Sequence, residues 1–185
     1  MRPYPQQYVR AIALAGGETV VLRPIRPEDE SLMVRFHEGL SDRSVYLRYF
    51  HMMALAERTA HERLTRICFI DYDREIVLLA EGRSAGSGEG DVMGVARLNK
   101  VPGTTDGEFA VLIADRFQGV GLGAELMRRL IEIARAEGLS RLRADVLSEN
   151  AAMRRLCTRL GMSVRPTGDP QLVTAELTLG PLSTV

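Results

Sequence analysis

Hydrophobic residues follow two different spacings in the middle of the chain. Residues 109–114 form a short apolar run bounded by Asp and Gly residues, which is typical of a mostly buried strand. Beyond Gly121 the apolar residues recur every three or four positions, with Arg and Glu between them, as far as Gly138. This second spacing predicts an amphipathic helix that ends at the glycine.

Weaker patterns of the same kinds predict the other elements. The predicted strands are residues 19–26, 75–83, 91–100, 109–114, 142–147, 162–164 and 172–179. Before and between them, helices are predicted to begin at Pro27, after an N-cap at Ser41, across residues 54–66, after Gly121 and at Asn150. Residues 1–17 are predicted to be an irregular lead-in, and residues 84–90 a hairpin loop.

Length and composition favour one domain, residues 18–182, with its own core. The chain has 185 residues, of which 45% are hydrophobic. A formal net charge of zero gives no reason to expect a nucleic-acid partner. No apolar run approaches 18 residues and no signal peptide is evident, so a cytoplasmic protein without membrane contact is expected. The two cysteines, Cys68 and Cys157, have no metal-ligand spacing, and no metal is predicted. The sequence carries no indication of oligomeric state.

Three glycines at alternate positions, 119, 121 and 123, lie between the predicted central strand and its helix. Glycines allow a ligand to approach the backbone closely, and a helix N-terminus favours an anion. A phosphate-bearing ligand is therefore the first hypothesis. The alternative is a tight turn that uses glycine for its geometry alone.

Two familiar phosphate loops fit this segment poorly. A P-loop needs Gly-Lys-Ser/Thr, which is absent. The dinucleotide fingerprint G-x-G-x-x-A is matched by Gly119, Gly121 and Ala124, but it should follow its strand directly, near the start of repeated βαβ units. Here residues 115–118 intervene, and too little chain follows for a second half.

The motif Q-x-x-G-x-G, formed by Gln118, Gly121 and Gly123, resembles the acetyl-CoA loop of the GNAT superfamily of N-acetyltransferases. The segment NAAMRRLCTRLGM that follows is similar to another motif of that superfamily. The N-terminal segment VVLRPIRPEDESLMVRFHEGLSDRSVYLRYF resembles the acetyltransferase domain of bacterial protein lysine acetyltransferases that modify acyl-CoA synthetases. The resemblance implies an α/β (α+β) GNAT fold: a mixed, mostly antiparallel sheet of about seven strands, flanked by helices and splayed at the central strands.

The resemblance also implies roles for individual residues. Glu108 would be the general base, directly or through water. The backbone of Val111, Leu112 and Ile113 would pair with the pantetheine arm of acetyl-CoA, and an N–H near Leu112 would polarise the thioester. The pyrophosphate would be held by Gln118, Gly119, Val120, Gly121, Leu122, Gly123 and Ala124, and the start of the last helix would contact the arm through Asn150 and Met153. From the residues alone, Glu108 could equally be a solvent-exposed strand residue and Asn150 a helix N-cap.

The function implied is direct transfer of acetyl from acetyl-CoA to a lysine ε-amine of a protein, with an acyl-CoA synthetase as the expected acceptor. Alternatives are a small amine, a protein N-terminus, or a non-catalytic domain that senses acetyl-CoA. Cys157 stands where many GNAT enzymes carry a proton-donating tyrosine, and its apolar stripe favours a core position instead. The cluster Tyr46, Arg48, Tyr49 and Phe50 falls where the acceptor pocket is commonly shaped, although core packing also explains it. His37, His51 and His61 are expected to be surface or packing residues.

Overall fold

A computed structural model describes residues 2–83 and 90–180, so the predicted loop at 84–90 lies outside the described residues except for Gly90. The strands are β1 (Arg10–Ala13), β2 (Thr19–Pro24), β3 (Glu75–Arg83), β4 (Gly90–Lys100), β5 (Asp106–Ile113), β6 (Arg141–Leu147), β7 (Ser163–Pro166) and β8 (Leu172–Thr178). The α-helices are α1 (Glu30–Glu38), α2 (Asp42–Tyr49), α3 (Leu55–Arg58), α4 (His61–Cys68), α5 (Leu122–Ala136) and α6 (Ala151–Arg159). None of these helices combines the length and the apolar character needed to cross a bilayer.

The described strands form one mixed sheet in the order β1-β2-β3-β4-β5-β6-β8-β7. Only the β5–β6 pair is parallel; the others are antiparallel. The predicted fold class is confirmed, with eight strands in the described part instead of seven. The additional strand, β1, lies in the segment predicted to be irregular. Its side chains are mostly exposed, so no hydrophobic alternation marks it in the sequence.

Two helices differ from the prediction in their boundaries. Pro27 begins a 3₁₀ turn (Pro27–Asp29), and α1 follows at Glu30. The single helix predicted over residues 54–66 is two helices, α3 and α4. The Thr59 hydroxyl donates to the Leu55 carbonyl at the end of α3 (2.8 Å), and Ala60 has a ψ of 130°, outside the helical range.

The sheet separates two hydrophobic clusters. One cluster contains the buried face of α5 together with Phe109, and the other contains side chains of α1, α2 and α4 together with Leu112. Successive residues of β5 point to opposite faces, so this strand is buried on both sides. This explains why residues 109–114 are continuously apolar rather than alternating.

A buried ion pair stabilises the start of the α1 segment. Two nitrogens of Arg23 contact the two carboxylate oxygens of Asp29 at 2.7 and 2.8 Å, and both side chains are below 10% exposed. Glu81 also accepts from Arg23 at 2.6 Å. We expect Asp29→Asn to lower the free energy of unfolding by about 3 kcal/mol, because a buried guanidinium loses its bidentate partner.

Urea denaturation measures this loss, with Glu62→Gln as the control. Glu62 pairs with Arg66 on α4, but both side chains are more than 70% exposed. Its replacement should change stability by less than about 1 kcal/mol. Equal effects of the two substitutions would show that burial of the Arg23 pair has no special role.

Candidate active site

The sheet opens between β5 and β6. The two strands pair only where Asp106, Gly107 and Glu108 lie beside residues 141–143. Beyond Glu108, β5 continues to Ile113 and β6 continues to Leu147, but the two strands no longer pair with each other. Five of the eight residues of β5 therefore have a strand edge without a partner among the described strands, at the position where the family resemblance implied the splay.

Hydrogen bonding with β4 determines which peptide groups of β5 face this opening. The Ala114 N–H donates to the Met93 carbonyl (2.9 Å), and Leu112 is two residues away in the same register. Because donors alternate in an antiparallel ladder, the N–H of Leu112 also points to β4, whereas those of Val111 and Ile113 point into the opening. The open N–H groups expected near Leu112 thus belong to its two neighbours.

Gln118 and Asp115 connect the end of β5 to the start of α2. The Gln118 amide donates to the Ile113 carbonyl and to the Ser44 hydroxyl, both at 3.1 Å. Asp115 accepts from the N–H and hydroxyl of Ser41 (3.0 and 2.5 Å) and from the Ser44 hydroxyl (3.0 Å). Burial raises the pKa of Asp115, but these hydrogen bonds outweigh it, so its pKa lies below the ordinary value. Gln118 therefore links the start of the glycine loop to the end of β5 and to α2.

The glycine loop of residues 119–123 leads into α5, and its peptide N–H groups form no hydrogen bonds in the described structure. Gly119 and Gly121 have φ angles of 81° and 90°, in the left-handed region that favours glycine. Within the described residues, no acceptor takes a hydrogen bond from the N–H groups of residues 119–123, and no side chain caps the 15-residue helix. N–H groups without acceptors at the positive end of a helix dipole are the features that favour an anion, as the phosphate hypothesis requires.

Gly123 is the residue at which the tight-turn hypothesis and the phosphate hypothesis make different predictions. Its backbone is not left-handed, and a Cβ there would meet only ordinary contacts, the nearest at 3.5 Å from Leu156. Turn geometry accounts for two of the three glycines and leaves the third unexplained. Close approach of a ligand to the backbone accounts for it, which favours the phosphate hypothesis.

Glu108 lies at the closed end of the opening, on the face of β5 that also carries Ala110 and Leu112. Its carboxylate accepts from Arg143 of β6 at 2.9 Å, and both side chains are 49% exposed. The Glu108 side chain is therefore about half buried. An ion-paired carboxylate at the surface of the sheet can be reached by a group that approaches from solvent.

A pocket of about 30 Å³ lies on the same face, between β3–β5 and the helices α1, α2 and α4. Its lining includes His37, Arg48, Tyr49 and Arg97. Nδ1 of His37 lies 2.8 Å from the Met33 carbonyl, and burial lowers the pKa of His37 to about 4, so the ring is neutral at physiological pH. His37 is a packing residue, as expected. His51 and His61 are surface residues, which was the other position predicted for the histidines.

Asn150, Met153 and Cys157 follow in and before α6. The Asn150 side chain accepts from the Met153 N–H (3.1 Å), which makes Asn150 the N-cap of the helix. Met153 is partly buried against the α5 side of the core. Cys157 is fully buried there, and burial raises the pKa of its thiol to about 11. The core position favoured for Cys157 is confirmed.

Sequence reasoning missed Arg97 and Arg143 in the site, and did not place His37 in its pocket. Arg97 had a signal, because it is a charged residue within the predominantly apolar strand β4. Arg143 had none, since its pairing with Glu108 depends on the β5–β6 register, which the intervening helix sets. The described part of the chain contains no cluster of three or more His, Cys, Asp or Glu residues that could hold a metal ion.

Comparison with known proteins agrees with this geometry. Residues 19–163 match the model of a family described as an acetyltransferase (GNAT) domain. An acetyltransferase of Pseudomonas aeruginosa is 33% identical over 149 residues, which are 80% of this chain and 77% of the relative. The acetyltransferase Pat of Mycolicibacterium smegmatis is 31% identical over 175 residues, or 94% of this chain and 50% of Pat. This chain therefore spans about half of Pat.

A solved structure extends the similarity to three dimensions. The crystal structure of the GNAT domain of S. lividans PAT superposes with a TM-score of 0.83 at 26% identity. The match covers 95% of this chain and 99% of that domain. The similarity therefore extends over nearly the whole fold of that domain.

Proposed function

Because the chain belongs to the GNAT acetyltransferase family, an acetyl-transferring enzyme family that uses acetyl-CoA as donor, we propose that its acceptor is a lysine ε-amine of a protein. Among proteins, an acyl-CoA synthetase is the proposed acceptor. The observation that carries the lysine assignment is the shape of the acceptor side. Glu108 is half exposed, and the pocket beside it is about 30 Å³. Small-molecule sites enclose roughly 300–1,000 Å³, so an amine on a slender side chain, presented from outside, fits better.

The donor side is suited to acetyl-CoA. The N–H groups of residues 119–123, which have no acceptor in the described structure, would bind the pyrophosphate, and Gly123 would let it approach the backbone. The pantetheine arm would take the place of a strand beside β5, where the N–H groups of Val111 and Ile113 are open. One of these donors would stabilise the oxyanion that develops on the thioester. Asn150 and Met153 would contact the arm from α6.

Glu108 would make the acceptor nucleophilic. A free lysine has a pKa of about 10.4, so roughly one amine in 2,500 is neutral at pH 7. Glu108 takes a proton from the ammonium group, directly or through water, and the neutral nitrogen attacks the acetyl carbonyl. The C–N bond forms, the nitrogen loses its second proton to water, the C–S bond breaks and CoA leaves as a thiolate. Cys157 is buried with a raised pKa, so the thiolate takes its proton from water.

The test is incubation of the protein and acetyl-CoA with a purified bacterial acyl-CoA synthetase, followed by peptide mass spectrometry. We expect one or a few lysines of the synthetase to gain an acetyl group at a rate proportional to enzyme concentration. A synthetase whose lysines have been reductively dimethylated should gain none. Acetyl transfer only to a small amine or to protein N-termini, or binding of acetyl-CoA without any transfer, would contradict the lysine assignment.

A further inference from the structure

Arginine side chains converge on the pocket beside the candidate base. Arg48 and Arg97 line it, and Arg63 lies behind the same aromatic ring. The Tyr49 ring lies 4.8 Å from the Arg48 guanidinium carbon and 5.1 Å from that of Arg63. Two positive charges therefore line one small cavity, and a third lies against the aromatic ring that forms part of its wall.

The described acidic side chains neutralise only part of the positive charge of these arginines. Arg97 pairs with Glu75 at 2.5 Å. Arg63 donates to the Arg58 carbonyl at 2.9 Å. For Arg48, no carboxylate among the described residues lies within 4 Å of the guanidinium. Burial lowers the pKa of Arg48, and repulsion by Arg97 and Arg63 lowers it further.

Packing against Tyr49 is the simplest role for Arg48, but it leaves a charge without a counterion in a partly buried position, which is unfavourable. Nε of Arg97 is buried without a hydrogen-bond acceptor within the described structure, and Oε1 of Glu75, which is ion-paired with the same guanidinium, is buried without a hydrogen-bond donor. Arg48 and Arg97 therefore both have N–H donors without an acceptor in the described structure. Both groups are donors only, so the missing partner is an anion or a water molecule. The cavity volume is enough for roughly two water-sized groups, and a carboxylate head is of that size.

The pocket lies close to Glu108, so an anion bound in it would belong to the acceptor molecule. Ala110, which lines the pocket, is two residues from Glu108 on the same face of β5, a spacing of about 7 Å. An acceptor amine that reaches Glu108 therefore brings its neighbouring groups toward the pocket that Arg48 lines. A cationic acceptor alone would be repelled by the arginines, whereas a carboxylate beside the amine would offset that repulsion.

We propose that Arg48, assisted by Arg97, binds a carboxylate that the acceptor carries close to its reactive amine. The inference rests on the proposed lysine acetylation and specifies its substrate class: a protein lysine beside a carboxylate, which belongs either to an adjacent acidic residue or to a free C-terminus at the lysine itself. Arg48 is then a specificity residue that does not touch the reacting atoms.

Two matched pairs of acceptors test the proposal and separate the two sources of carboxylate. One pair is the peptides acetyl-Glu-Lys-amide and acetyl-Gln-Lys-amide; the other is lysine and lysinamide. If Arg48 forms a charge-assisted contact, then in one of the pairs kcat/KM for the carboxylate-bearing acceptor should be about tenfold or more above kcat/KM for its amide counterpart. Arg48→Gln should reduce this ratio to about one, and Arg48→Lys should retain part of it. Arg66→Gln, an exposed arginine of α4, is the control and should leave the ratio unchanged.

Binding measurements keep the test independent of turnover. With CoA in place of acetyl-CoA, calorimetric titration compares the affinities of the same pairs for the wild type and the Arg48→Gln protein, with thermal unfolding verifying that the variant is folded. A carboxylate preference that disappears in Arg48→Gln supports the proposal even if no acceptor is acetylated, in which case only the proposed function fails. Equal binding within both pairs, or a preference that persists in Arg48→Gln, overturns the role of Arg48.

Discussion

Replacement of Glu108 by glutamine is expected to lower kcat for lysine acetylation by about 10²- to 10⁴-fold at neutral pH, the usual contribution of a positioned base. Glutamine keeps the size of the side chain and can still contact Arg143, so the surrounding structure should be retained. The KM for acetyl-CoA should stay within about twofold, because Glu108 lies at the closed end of the opening, away from the glycine loop. Steady-state kinetics with varied acetyl-CoA separate the two parameters.

Two comparisons test whether Glu108 acts as a general base. Near pH 10, close to the lysine pKa of about 10.4, the amine loses its proton to solvent and the deficit of Glu108→Gln should shrink. Glu132→Gln is the matched control, since Glu132 of α5 is also 49% exposed and pairs with an arginine, Arg129, at 2.8 Å. Its kcat should equal that of the wild type. A Glu108→Gln enzyme with undiminished kcat at pH 7 would remove the base role.

Substitution of Gly121 by alanine is expected to raise the Kd for acetyl-CoA by about tenfold or more, through loss of donor bonds to the pyrophosphate. Gly121 has a φ of 90°, where a Cβ costs about 1–2 kcal/mol, and relaxation of the turn would redirect the N–H groups that begin α5. Isothermal titration with acetyl-CoA measures the affinity directly.

Gly138→Ala separates lost binding from lost stability. Gly138 follows the other end of the same helix, has a φ of 75°, and like Gly121 has nothing within 4 Å of an added Cβ. Both variants should lose similar stability in urea, while only Gly121→Ala should lose affinity for acetyl-CoA. If the two variants bind acetyl-CoA equally, the glycine loop has no role in holding the donor.

Much of the donor side could be predicted from sequence because it is local. The strand before the loop, the three glycines and the amphipathic helix are adjacent in the chain, and each has its own pattern. The N-caps Ser41 and Asn150 were found for the same reason, since a cap is defined by residues within one helical turn. Strand β1 was missed because an exposed edge strand carries no hydrophobic alternation.

The acceptor side depends on contacts between distant segments, which no local pattern records. Arg143 lies 35 residues after Glu108 in the chain, and their pairing follows from the β5–β6 register. Arg48 and Tyr49 belong to a cluster in the sequence, but the absence of a counterion for Arg48 among the described residues depends on which residues of α4 and β4 lie beside it. Similarly, the open N–H groups were expected near Leu112, and only the hydrogen-bond alternation with β4 assigns them to Val111 and Ile113.

The central claim is direct transfer of the acetyl group from acetyl-CoA to a lysine ε-amine. A rapid-quench, single-turnover experiment with excess enzyme, ¹³C-acetyl-CoA and an acceptor protein tests it, with intact-mass and peptide mass spectrometry at each time point. We predict that the label moves from acetyl-CoA to an acceptor lysine in one phase, with no labelled enzyme at any time. Label on the enzyme before the acceptor, or label that appears only as free acetate, would contradict it.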